Sequence, residues 1–238
     1  MEKKFSVLAI GAHPDDLELL CGGTLAKFSK NGHKVFMYHA CTGDKGDLHK
    51  TSEEIKKIRA KEAVNAARII GAESFGGDFD DFDIAVNLEN RLFIVDVIRK
   101  CSPDLIFTHH PNDYLTDHIN LSRLVMEACN IVASPKLITN YEASKSGIPR
   151  LFYIDTFSGI GFNPIEYVDI SNYINLKISA MKEHASQLIF VKEATNEDLL
   201  EMINISGRYR GFQCGVDYAE GFIESLAWPR KSVTRILP

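Results

Sequence analysis

The sequence predicts an α/β fold: a single-domain, Rossmann-like sandwich with a mostly parallel sheet flanked by helices. Three observations carry this expectation. Short apolar runs alternate with amphipathic segments of helical period, the pattern of parallel crossover units wound on both faces of a sheet. At 238 residues with 45% hydrophobic content the chain can bury a substantial core. No internal repeat, low-complexity tract or linker interrupts it, so one domain over residues 1–238 is expected.

The elements follow in order. Phe5, Val7, Leu8, Ala9 and Ile10 form a strand that ends at Gly11. Pro14 keeps His13 out of the right-handed helical region and itself suits a first helical turn, so His13 projects from a strand-to-helix turn. Leu17, Leu20, Leu25 and Phe28 mark a helix from Asp16 to about Ser29, with Asp15 and Asp16 at its start, where carboxylates favour the dipole. Lys34 to Ala40 reads as a second strand, running into a glycine- and acid-rich loop from Cys41 to Asp47 that fits an ordinary strand-to-helix connection. Thr51 and Glu54 have the spacing of a capping box, and the helix they open stops at Gly71.

A short third strand is expected near Glu73 to Phe75, and then Gly76 to Asp83. Its four acids lack the regular spacing and closing Glu of an EF-hand, so a solvated acidic loop is expected there. A helix from Leu88 to Lys100 leads to a fourth strand, Leu105 to Thr108, and a helix from Ile119 to about Val132. Leu137 to Asn140 and Leu151 to Phe157 read as strands, with a polar loop from Glu142 to Pro149 that could border a crevice. Tyr167 to Ile170 reads as an edge strand, Asn172 to about Leu188 as a helix, Thr195 to Arg208 as another, and Gly211 to Pro238 as an irregular tail holding Trp228.

Charge and cysteine usage bound the function. A net charge of -5 argues against nucleic acid as a partner. Nothing reads as a signal peptide or a membrane span, so a cytoplasmic location is expected. Five scattered cysteines, none in a C-x-x-C pair, fit reduced buried thiols rather than disulfides or a thiolate zinc site. The first strand ends in Gly11-Ala12-His13-Pro14 instead of the glycine pattern that admits a pyrophosphate, which argues against a dinucleotide enzyme.

Two stretches carry chemistry. Ala12 to Glu18 packs one imidazole and three carboxylates behind the first strand; His109 to His118 follows the fourth. In a Rossmann-like order those strands are neighbours where the winding reverses, and their carboxyl-end loops face one crevice. His13, Asp16 and His118 then supply two imidazoles and a carboxylate, a three-ligand set suited to a catalytic Zn2+ or another divalent transition metal. Asp15 is the candidate general base on a water, and Asp117 either caps its helix or orients a catalytic group. His184 fits a helix-terminal packing residue better than a ligand.

These residues also carry a resemblance. A-H-P-D-D-L-E at Ala12 to Glu18 and the D-x-x-x-D-H pattern of Asp113, Asp117 and His118 resemble the LmbE-like, or PIG-L, family of zinc-dependent N-deacetylases acting on N-acetylglucosaminyl compounds. The segment around Arg59 to Gly71 and His184-Ala185-Ser186-Gln187 are similar to further family segments. The resemblance implies His13, Asp16 and His118 as metal ligands, Asp15 as base, Asp117 as a charge-relay neighbour and Arg59 as a substrate contact. It implies a hydrolase of linear amides that removes an N-acetyl or other N-acyl group from a small-molecule amino sugar or GlcNAc-type conjugate through a metal-activated water. Oligomeric state is left open, with a homo-oligomer compatible. One departure stands out: where many members read H-P-D-H, this chain has Leu115-Thr116-Asp117-His118, and leucine can neither stabilise an oxyanion nor protonate an amine. Either Asp15, once protonated, serves the amine, or another group such as His110 or Tyr114 replaces the missing one, or catalysis is weak, which motivates the alternative of a metal-retaining sugar-binding protein or pseudoenzyme with weak turnover.

Overall fold

The computed structural model describes residues 4–145, 147–227 and 237–238. Among the described residues fourteen elements follow one another: β1 (Ser6–Gly11), α1 (Asp16–Lys30), β2 (Lys34–Cys41), α2 (Ser52–Ile70), β3 (Glu73–Phe79), α3 (Leu88–Cys101), β4 (Leu105–Thr108), α4 (Thr116–Ile131), β5 (Arg150–Ile154), β6 (Glu166–Asp169), α5 (Ile174–Lys182), α6 (Ala185–Thr195), α7 (Leu199–Cys214) and β7 (Ala219–Glu224). The seven strands form one sheet in the order β3-β2-β1-β4-β5-β7-β6. The first five strands run parallel, and β7 is antiparallel to both β5 and β6.

Strand periodicity sorts the core into two layers. Val7, Ala9, Met37 and Phe107 face one side and pack with Leu25, Ala66, Ile174 and Ile203 from α1, α2, α5 and α7. Leu8, Ile10, Tyr38 and Ile106 face the other and pack with Ile94, Ile98, Leu121 and Val125 from α3 and α4. A one-residue slip in register would exchange these sets, so burial on both faces fixes the pairing of Val7 with Val35 and Leu105. The capping box at Thr51 is formed, and Gly71 takes the left-handed conformation that ends α2.

Several expectations need correction. Leu137 to Asn140 is not a strand: the buried Arg99 guanidinium donates to the carbonyls of Val132, Ser134, Leu137 and Tyr141, and holds this segment as an irregular turn. The loop from Glu142 to Pro149 enters the amino end of β5, opposite the edge where the carboxyl-end loops gather, so it does not border the crevice. The helix expected over Asn172 to Leu188 is two, α5 and α6, broken at His184. The carboxyl-terminal stretch is not irregular throughout. Gly211 to Cys214 finish α7, and Ala219–Glu224 enters the sheet interior as β7. Buried Glu220 fixes it there by accepting the amides of Gly23 and Thr24 and pairing with Lys177. Trp228 lies outside the described residues. No described helix is long and apolar enough to cross a membrane.

Candidate metal centre

Because β1 and β4 are hydrogen-bonded neighbours, the turn after β1 and the loop after β4 meet at one edge of the sheet. Pro14 and Asp15 follow β1, and Asp15 sits just before α1 with φ 121°, a conformation that favours glycine and costs about 1–3 kcal/mol in other residues. The twist lets Asp15 and Asp16 project differently. Asp15 Oδ1 lies 3.1 Å from Arg59 Nη2, while Asp16 Oδ2 accepts the His13 amide at 2.6 Å. On the second loop α4 starts earlier than its apolar pattern suggests, at Thr116, so Asp117 and His118 lie in its first turn.

His13, Asp16 and His118 offer ligand atoms that all lie within 4.8 Å of one another. Asp16 Oδ2 is the meeting point, 3.4 Å from His13 Nδ1 and 3.3 Å from His118 Nε2. The other nitrogen of each imidazole is engaged by a carboxylate: His13 Nε2 lies 3.1 Å from Asp117 Oδ2, and His118 Nδ1 lies 3.0 Å from Asp113 Oδ2. An outer carboxylate that takes one ring N–H and turns the opposite lone pair inward is the arrangement found around metal-binding histidines. His118 Nε2 is buried with no hydrogen-bond partner, as a nitrogen meant for a cation would be. The residues present therefore fit a divalent ion.

Two overlapping clusters fit less well. His13, Cys41 and Asp81 also come within 4.8 Å, but Asp81 already accepts the amides of Gly43 and Lys45. In the group of His109, Asp113 and His118, the Asp113 carboxylate is taken by His118 and by the amides of Tyr114 and Leu115.

Electrostatics point the same way. Burial opposes charge on His13, yet the Asp117 and Asp16 carboxylates outweigh it and push the pKa up to about 10. Burial is likewise outweighed at His118, where Asp16 and Asp113 raise the pKa to about 9. Burial alone would raise Asp16; His118 and the neighbouring imidazoles hold it well below the ordinary carboxylate range. Burial drives Asp15 upward, with Arg59 opposing. The carboxylates Asp16, Asp113 and Asp117 thus favour positive charge held between them.

Each remaining predicted residue has a definite place. Asp117 is not a helix cap: Leu115 occupies the N-cap position, and Asp117 Oδ2 accepts the Phe82 amide at 2.8 Å beside His13. Buried Arg59 donates to the Pro14 carbonyl at 2.5 Å and to the Gly43 carbonyl at 3.3 Å in addition to facing Asp15. Leu115 is partly exposed beside the site. The Tyr114 hydroxyl is 3.2 Å from Ser158 Oγ, and the His110 ring stands edge-on to Tyr153 and Phe162.

Sequence reasoning did not assign roles to four neighbours. His109 stacks on His118 at 3.6 Å and accepts the Ala12 amide, tying the two loops together. Asp113 holds His118; its place five residues ahead in D-x-x-x-D-H was the signal. Asp81 is buried and ties the segment after β3 to the loop after β2, and Gly76 to Phe79 belong to β3; the other three acids, Asp78, Asp80 and Asp83, are exposed, as expected of a solvated acidic segment. Glu18 is fully buried between His184 Nε2 at 3.2 Å and His39 Nε2 at 3.5 Å, so His184 is a packed, helix-terminal residue as expected, but at the start of α6 and held by a carboxylate rather than by a C-terminal dipole.

A family model described as GlcNAc-PI de-N-acetylase (PIG-L) matches residues 8–129, just over half of the chain. The chain belongs to the PIG-L family. The diacetylchitobiose deacetylase of Thermococcus kodakarensis is 28% identical over 231 residues, covering 90% of this chain and 81% of that protein. The 4-oxalmesaconate hydratase of Pseudomonas putida is 25% identical over 194 residues, covering 76% of this chain and 74% of its own. Among solved structures, the N,N'-diacetylchitobiose deacetylase of Pyrococcus horikoshii, complexed with an inhibitor, superposes with a TM-score of 0.81 at 26% identity, covering 92% of this chain and 83% of that one. The PIG-L match contains both loops of the candidate centre and the whole of α2.

Proposed function

We propose that this protein is a metal-dependent N-deacetylase that hydrolyses the acetamide of an N-acetylated amino sugar or a GlcNAc-type conjugate. The observation that carries the reading is the convergence of His13, Asp16 and His118, each imidazole turned inward by an outer carboxylate, within a chain of this family. Those three residues would hold a divalent ion, zinc being the one that the ligand set and the resemblance favour. When bound, such an ion supplies Lewis acidity, lowering the pKa of a water and polarising the amide carbonyl.

The chain's own residues do the rest. Asp15 is held at the helix start by Arg59, takes the proton from the attacking water, and returns it to the departing amine. That return compensates for Leu115, which has no proton to give. Asp117 and Asp113 fix the tautomers of His13 and His118. Arg59 orients Asp15 and braces the Gly43 backbone, a second role beside the substrate contact the resemblance implies.

A test combines turnover with metal content. Asp15→Asn should keep the ion and the wild-type melting temperature while acetate release from diacetylchitobiose or N-acetylglucosamine falls by about 10²-fold or more. Unchanged turnover would remove Asp15 from its role, and full activity after chelation would remove the ion.

A second reading rests on Leu115 together with the hydratase relative: addition of water to an unsaturated tricarboxylic acid needs no amine to be protonated. Loss of absorbance from such an acid, with no acetate released from any N-acetyl sugar, would favour it.

A further inference from the structure

Beside the candidate centre lies a cavity of about 480 Å³ that the catalytic proposal does not use. It is lined by α1, α5, α7, β7 and the segment of residues 155–160 that leaves the carboxyl end of β5, and it opens to solvent. We infer that this cavity receives an uncharged, apolar group carried by the substrate, so that the favoured substrate is an amino sugar bearing more than a bare sugar and acetyl group. The inference rests on the deacetylase reading for the position of the reacting amide.

Position comes first. Leu19 and Leu20 line the cavity and lie one turn along α1 from Asp16. β5 runs parallel to β4, so residues 155–160 leave the sheet at the same edge as His109 and His110. Ser158, in the cavity wall, is hydrogen-bonded to Tyr114 of the second loop. A substrate whose amide reaches Asp15 and Asp16 therefore has this cavity within reach of one of its two ends.

Chemistry comes second. Four charged residues line the cavity, and they cancel in pairs: Lys177 Nζ donates to Glu220 Oε1 at 2.5 Å, and Arg210 Nε donates to Asp155 Oδ2 at 2.7 Å. No net charge is left to recruit an ionic group. Leu19, Leu20, Phe157, Met202 and Ile205 are apolar residues of the remaining wall, which the hydroxyls of Thr156, Ser158 and Ser206 interrupt, and Ile205 and Tyr209 are more than half exposed. Volume and lining match the usual range for small-molecule pockets, about 300–1,000 Å³ with mainly apolar walls.

The apolar group has two sources, the aglycone or an acyl chain longer than acetyl, and two substrate series separate them. One compares methyl with hexyl glycosides of N-acetylglucosamine; the other compares N-acetyl with N-hexanoyl groups on the methyl glycoside. The expected result is a rise in kcat/KM of at least about tenfold with chain length in one series. Met202→Trp, which fills the cavity, should erase that ratio.

Calorimetric titration with the methyl and hexyl glycosides of glucosamine and of N-hexanoylglucosamine gives an answer even if no compound is hydrolysed. Absence of turnover throughout would defeat the deacetylase reading, whereas tighter binding of a hexyl or hexanoyl compound, lost in Met202→Trp, would still support the cavity. Equal binding and equal kcat/KM across both series would overturn it. A gain that survives Met202→Trp would also overturn it.

Discussion

Replacing Glu18 by Gln removes a negative charge from a place that water does not reach. Both carboxylate oxygens are fully buried, one 3.2 Å from His184 Nε2 and the other 3.5 Å from His39 Nε2. Breaking a buried charge pair by removing one member costs about 3–5 kcal/mol. In a domain of this size 1 kcal/mol moves the melting temperature by about 2–4 °C, so Glu18→Gln should melt about 6–20 °C lower.

The pH dependence is specific. Burial would raise the Glu18 pKa, but His184 and His39 hold it far below its ordinary 4.5, so its contribution is present above that value and is lost as pH falls. Burial would lower His184, but Glu18 raises it above 6.5, so its contribution is complete below 6.5 and is lost as pH rises through the folded value. The gap between wild type and variant should therefore be widest between 4.5 and 6.5 and narrow on both sides. Scanning calorimetry from acid to mildly alkaline buffer measures it. A gap under about 2 °C at its widest, or one that widens steadily with rising pH, would refute the reasoning.

Two further outcomes follow from the packing. A Cβ at Gly46 would come within 2.6 Å of Arg59 Nη1, so Gly46→Ala should displace the guanidinium from Asp15 and reduce kcat by about tenfold or more while the metal content stays; unchanged kcat would deny Arg59 its positioning role. Cys21, Cys41, Cys101 and Cys129 are buried and Cys214 is exposed, so mass spectrometry after brief alkylation of the native protein should find modification at Cys214 ahead of the others; rapid modification of Cys41 would show that the crevice opens more widely.

Much of the fold was legible because local and global signals agree. Periodic apolar residues, the Thr51 capping box and Gly71 mark elements that burial then confirms. The sequence was uninformative where long-range partners override local preference. Leu137 to Asn140 has strand-like residues, but its place is set by Arg99, a cation some 40 residues earlier whose reach no local pattern announces. β7 was missed for the same kind of reason: Glu220 and Gly221 weaken its strand pattern, and it is held by Gly23, Thr24 and Lys177 from distant parts of the chain.

The site shows the same division. His13, Asp16 and His118 were visible because chemically unusual residues cluster after strands that the topology makes neighbours. His109 and Glu18 were seen only as members of a motif, since their work depends on a stacking contact and on a helix start far along the chain at His184. The 76–83 segment reads as solvated because acids usually are, which holds for Asp78, Asp80 and Asp83; burying Asp81 needs the amides of Gly43 and Lys45, which only the folded loop presents.

The central claim is that His13, Asp16 and His118 share one ion. Elemental analysis of the purified protein after equilibrium dialysis against zinc, beside His13→Ala, Asp16→Ala and His118→Ala, tests it most directly. About one zinc per wild-type chain, and a large loss in each variant that still melts cooperatively, is the predicted result. Wild-type stoichiometry in all three variants, or no retained ion in the wild type, would contradict it.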